Sequence, residues 1–243
     1  MIVAERIRLL LALIVLACPS AAFASDAVRI TDTGELTTVD PEASPRPAPA
    51  APTTGAGQRQ KANFLEEAAS PDARRVADWV TASDDNKDLP FIIVDKVSAK
   101  VFVFNKDGKL LGASRALLGK ARGDDSVPGI GTRKLSTIQE EERTTPAGRF
   151  VATLGHDFQQ DILWIDYPSS ISLHRVITGN PGDHRLQRLA SSSAQDRRIS
   201  YGCINVPVKF YEDVVLDAFA GRTGIVYILP EIKTIEEIFQ SFR

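Results

Sequence analysis

The residues best suited to chemistry lie in one run, Arg198-Ile199-Ser200-Tyr201-Gly202-Cys203-Ile204-Asn205-Val206-Pro207. A thiol beside a glycine in a polar turn suits a nucleophile whose substrate must come close to the backbone. A buried structural cysteine has the same composition, so the thiol alone does not decide between the two. To act, it needs a base that forms the thiolate and a group that holds that base in the right tautomer. The chain holds three histidines, His156, His174 and His184. His174 falls in Ile171-Ser172-Leu173-His174-Arg175-Val176, where strand alternation sets it on one face with Ser172 and Val176. A base on a strand is better preorganised than one on a loop. His184, in Asn180-Pro181-Gly182-Asp183-His184, reads as a loop residue and competes for the role. Histidines and carboxylates show no metal-ligand spacing, and no phosphate-cradling glycine motif occurs, so neither metal nor cofactor is expected.

The elements around these residues read as mainly β. Phe91–Asp95 and Lys100–Phe104 are apolar strands, and Asn105–Lys109 is a turn before Leu110-Leu111, with Ser114–Leu118 continuing the meander. Strands in quick succession without helices predict an antiparallel β domain. Residues 119–149 form a long Gly-rich, charged loop, a length that usually marks a lid or another functional segment. Thr144–Phe150 closes it and leads into Val151–Leu154; further strands are expected at 162–166, 171–177 and 224–229. Residues 178–198 are polar, anchored by Leu186 and Leu189. Helices are expected from Pro71, with Ser70 as cap and Val76, Trp79 and Val80 on one face; over 207–220, ended by Gly221; and over 236–242.

The strand order, Thr145-Pro146-Ala147-Gly148-Arg149-Phe150, the strand histidine and Ser200-Tyr201-Gly202-Cys203-Ile204-Asn205 together resemble the L,D-transpeptidase (YkuD-type) catalytic domain. The resemblance spans roughly residues 89–230 and implies a β-sandwich acting on bacterial cell-wall peptides. It implies Cys203 as nucleophile, His174 as base and backbone amides around Gly202 and Cys203 as an oxyanion hole. Ser200 and Asn205 match positions that shape the site. The donor would be a peptidoglycan tetrapeptide stem that loses its terminal D-alanine, and the acceptor an amine whose identity stays open. Resolution of the thioester by water, giving an L,D-carboxypeptidase or amidase, and a non-catalytic wall-peptide-binding domain are the alternatives. Three departures stand out. Tyr201 replaces the motif histidine; Arg175 follows the base where some members carry Ser or Gly, leaving open what orients the imidazole; and residues 175–199 make a longer gap than the family's usual one. His184 fits that usual gap better. Arg175, Arg197 and Arg198 are candidates for pairing with a substrate carboxylate.

The whole chain has 243 residues, 43% hydrophobic and 25% charged, with net charge −2. That balance supplies no basic face and argues against a nucleic-acid partner. Residues 1–24 read as an export signal, with Arg6 and Arg8 before an apolar core and Ala22-Phe23-Ala24 as cleavage site, so a periplasmic or cell-envelope location is expected. Val15-Leu16-Ala17-Cys18 loosely resembles a lipobox, which would instead lipidate Cys18; Pro19 after the cysteine favours simple cleavage. Nowhere else is there an apolar run long enough to span a membrane. With Cys18 removed, Cys203 is left as a free thiol, which in an oxidising compartment invites a chemical explanation. Residues 25–60 form a Pro/Ala-rich tether, 61–88 a helical lead-in, 89–230 the catalytic domain and 231–243 a helical tail.

Overall fold

Strands in the computed structural model follow the apolar runs; the model describes residues 61–157 and 159–242. The leader, the tether and Cys18 lie outside the described residues. β1 (Phe91–Asp95), β2 (Lys100–Phe104) and β3 (Leu110–Arg115) form an antiparallel meander, with Phe91 opposite Phe104 and Ile93 opposite Phe102. β1 is buried along its whole length, which is why its sequence is continuously apolar. One face presents Phe91, Ile93, Phe102 and Phe104 to α1 (Pro71–Ser83); the other presents Ile92, Val94, Val101 and Val103 to the main core. Ser70 caps α1 by accepting from the Ala73 amide at 3.1 Å. Val76 and Val80 are buried beneath the helix, and Trp79 meets Tyr227 edge-on at 6.0 Å.

After β4 (Leu118–Gly119) and the long loop come β5 (Gly148–Asp157), β6 (Gln160–Asp166), β7 (Ile171–Arg175), α2 (Arg185–Ala190), β8 (Arg198–Ser200) and β9 (Ile204–Val206). The chain then forms α3 (Val208–Phe210), a π turn at Tyr211–Val215, α4 (Leu216–Phe219), β10 (Gly224–Ile228) and α5 (Ile235–Ile238). The eight-stranded sheet has the order β3-β2-β1-β10-β5-β6-β7-β9, and β4 pairs with β8 beside it. Residues Gly148–Ala152 of β5 bond to β10, and Thr153–Asp157 bond to β6. This one strand therefore serves both halves of the sheet, a device that turns a corner between layers. Ile92, Val94 and Val101 from one half share a core with Leu163, Leu173 and Ile204 from the other, sealed by Tyr211, Val215 and Phe219.

The mainly β architecture with peripheral helices is as read from the sequence, but the two layers belong to one curled sheet and its pairing is mixed. β1 with β10, and β7 with β9, run parallel. Each of those pairs is separated in sequence by a long connection containing helix, the kind of crossover that parallel neighbours need. The polar stretch 178–198 holds α2, which the local pattern concealed. Leu189 is buried there, whereas Leu186 is exposed and anchors nothing. The helix expected over 207–220 is interrupted by the π turn, and Val208 at its start stays exposed. Gly221 follows it in the left-handed conformation expected of a helix-ending glycine.

A buried ionic cluster ties down both ends of the long loop. Lys96 is fully buried, and its Nζ donates to Asp124 Oδ1 at 2.7 Å, Gly123 O at 2.5 Å and Thr145 O at 2.9 Å. Arg198 forks onto the buried Glu231 carboxylate at 2.6 and 3.1 Å. Asp124 also accepts from the amides of Glu231, Ile232 and Lys233 at 2.9, 2.9 and 2.7 Å. Burial by itself would raise the Asp124 pKa; the three amides and Lys96 outweigh it and hold the carboxyl at about 2.

Because that folded value lies below the ordinary carboxylate range, the carboxylate stabilises the fold above about pH 4, and this contribution is lost as pH falls towards about 2. Asp124→Asn leaves Lys96 without its closest counter-ion and is expected to cost about 3–5 kcal/mol in urea unfolding at neutral pH. Lys209→Ala, which breaks the exposed Lys209–Asp213 pair, should cost under about 0.5 kcal/mol in the same measurement. Equal effects from the two substitutions would mean that the buried cluster does not anchor the fold.

Candidate active site

Strand register brings the candidate residues together. β7 and β9 are parallel neighbours, with Leu173 opposite Ile204 and His174 opposite Asn205. Cys203 precedes β9 by one residue, which sets it beside Ser172; Ser172 Oγ lies 3.6 Å from Cys203 Sγ. Ser172, His174, Cys203 and Asn205 open into one cavity of about 590 Å³, together with Tyr201 and Trp164. Cys203 is a half-buried free thiol whose sulfur lies 3.5 Å from the Ser170 carbonyl.

The turn before the cysteine is held from inside. Ser200 Oγ donates to the Cys203 carbonyl at 2.6 Å and accepts from the Gly202 amide at 3.1 Å. Thr145 Oγ1 donates to the Gly202 carbonyl at 2.7 Å and accepts from the Gly119 amide at 2.9 Å. Gly202 has φ +135°, and a Cβ there would stand 2.6 Å from Thr144 O and 2.7 Å from Ile171 Cδ1. Only glycine fits. The Gly202 amide was expected to serve an oxyanion hole, but it is committed to Ser200 Oγ and braces the turn instead. The amides of Ser172 and Cys203 are aimed at the sulfur, where they favour the thiolate.

His174 is buried, with Nδ1 2.7 Å from the Arg175 carbonyl. A carbonyl only accepts, so Nδ1 carries the proton and Nε2 keeps its lone pair. The group that orients the imidazole is thus the backbone of the next residue. Asn205 Nδ2 lies 3.5 Å from His174 Nε2 and donates to the Cys203 carbonyl at 3.2 Å. Burial pulls the His174 pKa below its usual value, and the nearby Arg185 charge adds to this. Burial also pushes the Cys203 thiol above its usual value, against the amides at its sulfur. The resting pair is a neutral imidazole beside a neutral thiol.

The other sequence candidates are placed elsewhere. His156 and His184 are both exposed, and His184 sits at φ +50° just before α2, its side chain outside the cavity lining. Arg175 points away from the cavity, with Nε 3.1 Å from Glu212 Oε1 and Nη2 3.4 Å from Asp161 Oδ2. Arg198 is spent on Glu231, and Arg197 donates to the Ser98 and Ser191 carbonyls. The substrate carboxylate contact expected of these arginines is therefore not available to them: internal partners occupy all three, and none lines the cavity.

Arginines not singled out in the sequence meet the site, among them Arg185 and Arg143. Arg185, from α2, lines the cavity and donates from Nη1 to Asn205 Oδ1 at 2.9 Å. Arg143, from the end of the long loop, stacks its guanidinium 4.1 Å from the Tyr201 ring centre. That loop forms one wall through Ile130, Leu135 and Ile138. It is docked on the β6–β7 turn, where Ser170 Oγ donates to Gly131 O at 3.0 Å. A Cβ at Gly131 would stand 2.3 Å from Pro168 O, so the close approach depends on glycine. Local sequence offered no sign of either arginine, because each reaches the site only through a tertiary contact.

No family model and no curated protein matches the chain. Among solved structures it is similar to a point mutant of the helical cell shape determining protein Pgp2 from Campylobacter jejuni, at 12% identity over 68% of this chain and 58% of that one, TM-score 0.40. It is also similar to a cysteine mutant of the Enterococcus faecium L,D-transpeptidase, at 18% identity over 58% of this chain and 49% of that one, TM-score 0.33. A third is an L,D-transpeptidase from Mycobacterium smegmatis, at 14% identity over 57% of this chain and 58% of that one, TM-score 0.31. The chain thus spans about half to three fifths of the length of the solved chains it matches.

Proposed function

We propose that the chain is an exported cysteine acyltransferase of the L,D-transpeptidase kind, acting on peptidoglycan stem peptides through a Cys203 thioester. The observation that carries this reading is the shared cavity of Cys203 and His174, with Nδ1 bound to the Arg175 carbonyl. The leader-like residues 1–24 support export to where such peptides are found. In the first half-reaction His174 Nε2 takes the thiol proton as the sulfur attacks the carbonyl that precedes the terminal D-alanine. The Ser172 and Cys203 amides, aimed at the sulfur, ease the growth of charge there. The carbon–nitrogen bond breaks, His174 returns its proton to the departing amine, and the acyl group stays on sulfur. In the second half-reaction an acceptor amine attacks the thioester, loses a proton to His174 and displaces the thiol. Water in place of the amine yields the hydrolytic outcome from the same intermediate.

Incubation with a tetrapeptide stem should release D-alanine and add the acyl mass to Cys203. Cys203→Ala should do neither, and His174→Ala should slow acylation by about 10²–10⁴-fold. Absence of D-alanine release together with absence of any covalent adduct with a carbapenem would overturn the acyltransferase reading. Peptide binding without turnover would favour a wall-binding domain instead, and an added acceptor amine separates transfer from hydrolysis by product mass.

The neutral resting pair makes a second expectation. Iodoacetamide alkylation of Cys203, followed by peptide mass, should climb about tenfold per pH unit through about pH 8.5. Because burial raises the thiol pKa, the rate should show no plateau at lower pH. A plateau that begins at or below about pH 7 would reveal a preformed thiolate–imidazolium pair and sink this account.

A further inference from the structure

The cavity contains a guanidinium whose hydrogen-bonding capacity is only partly used. Arg185 enters from α2, inside the lengthened connection between β7 and β8, and its side chain is 16% exposed. Of its five N–H groups, one on Nε goes to Asp183 Oδ2 at 2.8 Å and one on Nη1 goes to Asn205 Oδ1 at 2.9 Å. Asp183 Oδ1 accepts from Asn180 Nδ2 at 2.8 Å, so Asp183 meets Arg185 through one oxygen and leaves the guanidinium fork open. Arg133 also lines the cavity, but Glu142 closes its fork at 2.8 and 3.0 Å. Of the two arginines that line the cavity among the described residues, Arg185 is the one whose terminal nitrogens are not forked onto a carboxylate.

Its place relative to the base gives those donors a role. The Asn205 amide bridges the two, with Oδ1 on Arg185 and Nδ2 3.5 Å from His174 Nε2. His174 must hand its proton to the departing amine, so the residue that carries that amine lies on the Asn205 and Arg185 side of the sulfur. In a peptide cut before its last residue, the terminal carboxylate is separated from that amine by a single carbon. We propose that Arg185 binds the terminal carboxylate of the donor peptide, making the site selective for peptides that end in a free acid directly after the scissile bond. The assignment rests on the acyl-transfer reading of the same site. Asp157 also lines the cavity and disfavours a bare anion, so a peptide with amino groups near its carboxylate suits the site better. A guanidinium suits the task because it forks onto a carboxylate.

The test measures binding to the Cys203→Ser protein of a stem tetrapeptide as free acid and as C-terminal amide. The acid should bind about tenfold or more tighter. Arg185→Gln should erase the preference, and Arg185→Lys should restore part of it. A second readout needs no peptide: the ratio of iodoacetate to iodoacetamide alkylation rates at Cys203 should fall several-fold in Arg185→Gln, with the iodoacetamide rate showing that the site is still folded. An acid-to-amide preference that survives Arg185→Gln overturns the assignment. If neither peptide binds while the alkylation ratio still falls, the stem-peptide reading is overturned and carboxylate recognition by Arg185 stands. If neither peptide binds and the ratio is unchanged, both are overturned.

Discussion

The site is built on four charges removed from water. Lys96 and Arg198 are matched by Asp124 and Glu231 in the wall behind the cysteine turn. Taking an ion out of water costs several kcal/mol even after relaxation, so such a cluster persists only where each charge is fully engaged. Lys96 uses its three donors on Asp124, Gly123 and Thr145, and Asp124 gathers three amides besides. What an apolar wall could not supply is direction. Lys96 holds the Thr145 carbonyl, and the Thr145 hydroxyl holds the Gly202 carbonyl next to Cys203. Two hydrogen bonds thus connect a buried cation to the turn that presents the thiol.

This explains which parts of the molecule were legible in the sequence. The strands of the meander, the cap of α1 and the choice of Cys203 and His174, which line one cavity, rest on local patterns: apolar runs, a Ser-Pro start, a histidine in a strand and a thiol beside glycine. Parallel pairing of β1 with β10 was not legible, because nothing within either strand records the direction of a partner more than a hundred residues away. The ionic cluster was hidden for the same reason. Lys96, Asp124, Arg198 and Glu231 each look like surface residues, and only the fold brings them together and buries them. Arg198 was read as a candidate substrate contact, but its guanidinium goes to Glu231, which only the fold brings to it. Arg175 errs in the same way beside His174, although its carbonyl turns out to orient the ring.

The electrostatics of the site follow from its depth. Burial disfavours the charged form of both partners, so it lowers the imidazole pKa and raises that of the thiol. An ion pair formed in advance would need a field strong enough to repay desolvation, and Arg185 works against it by adding positive charge beside His174. Burial therefore favours a protonated sulfur and an uncharged ring. A resting thiol is less exposed to oxidation than a thiolate, a useful property where the surroundings are oxidising. His174 Nε2 keeps its lone pair because the ring proton sits on Nδ1, fixed by a backbone carbonyl that no side-chain rotation can withdraw.

Tyr201 fits the same logic. A histidine at this position would change charge near neutral pH and, once protonated, would repel the guanidinium of Arg143 stacked on it. An uncharged aromatic ring offers a face that attracts the cation instead. Arg143 also donates to the Ile138 carbonyl at 3.0 Å, within the cavity-lining loop. The Tyr201–Arg143 contact therefore joins the cysteine turn to the cavity wall beside it. Tyr201 thus gives the turn a structural contact where the resemblance placed an imidazole.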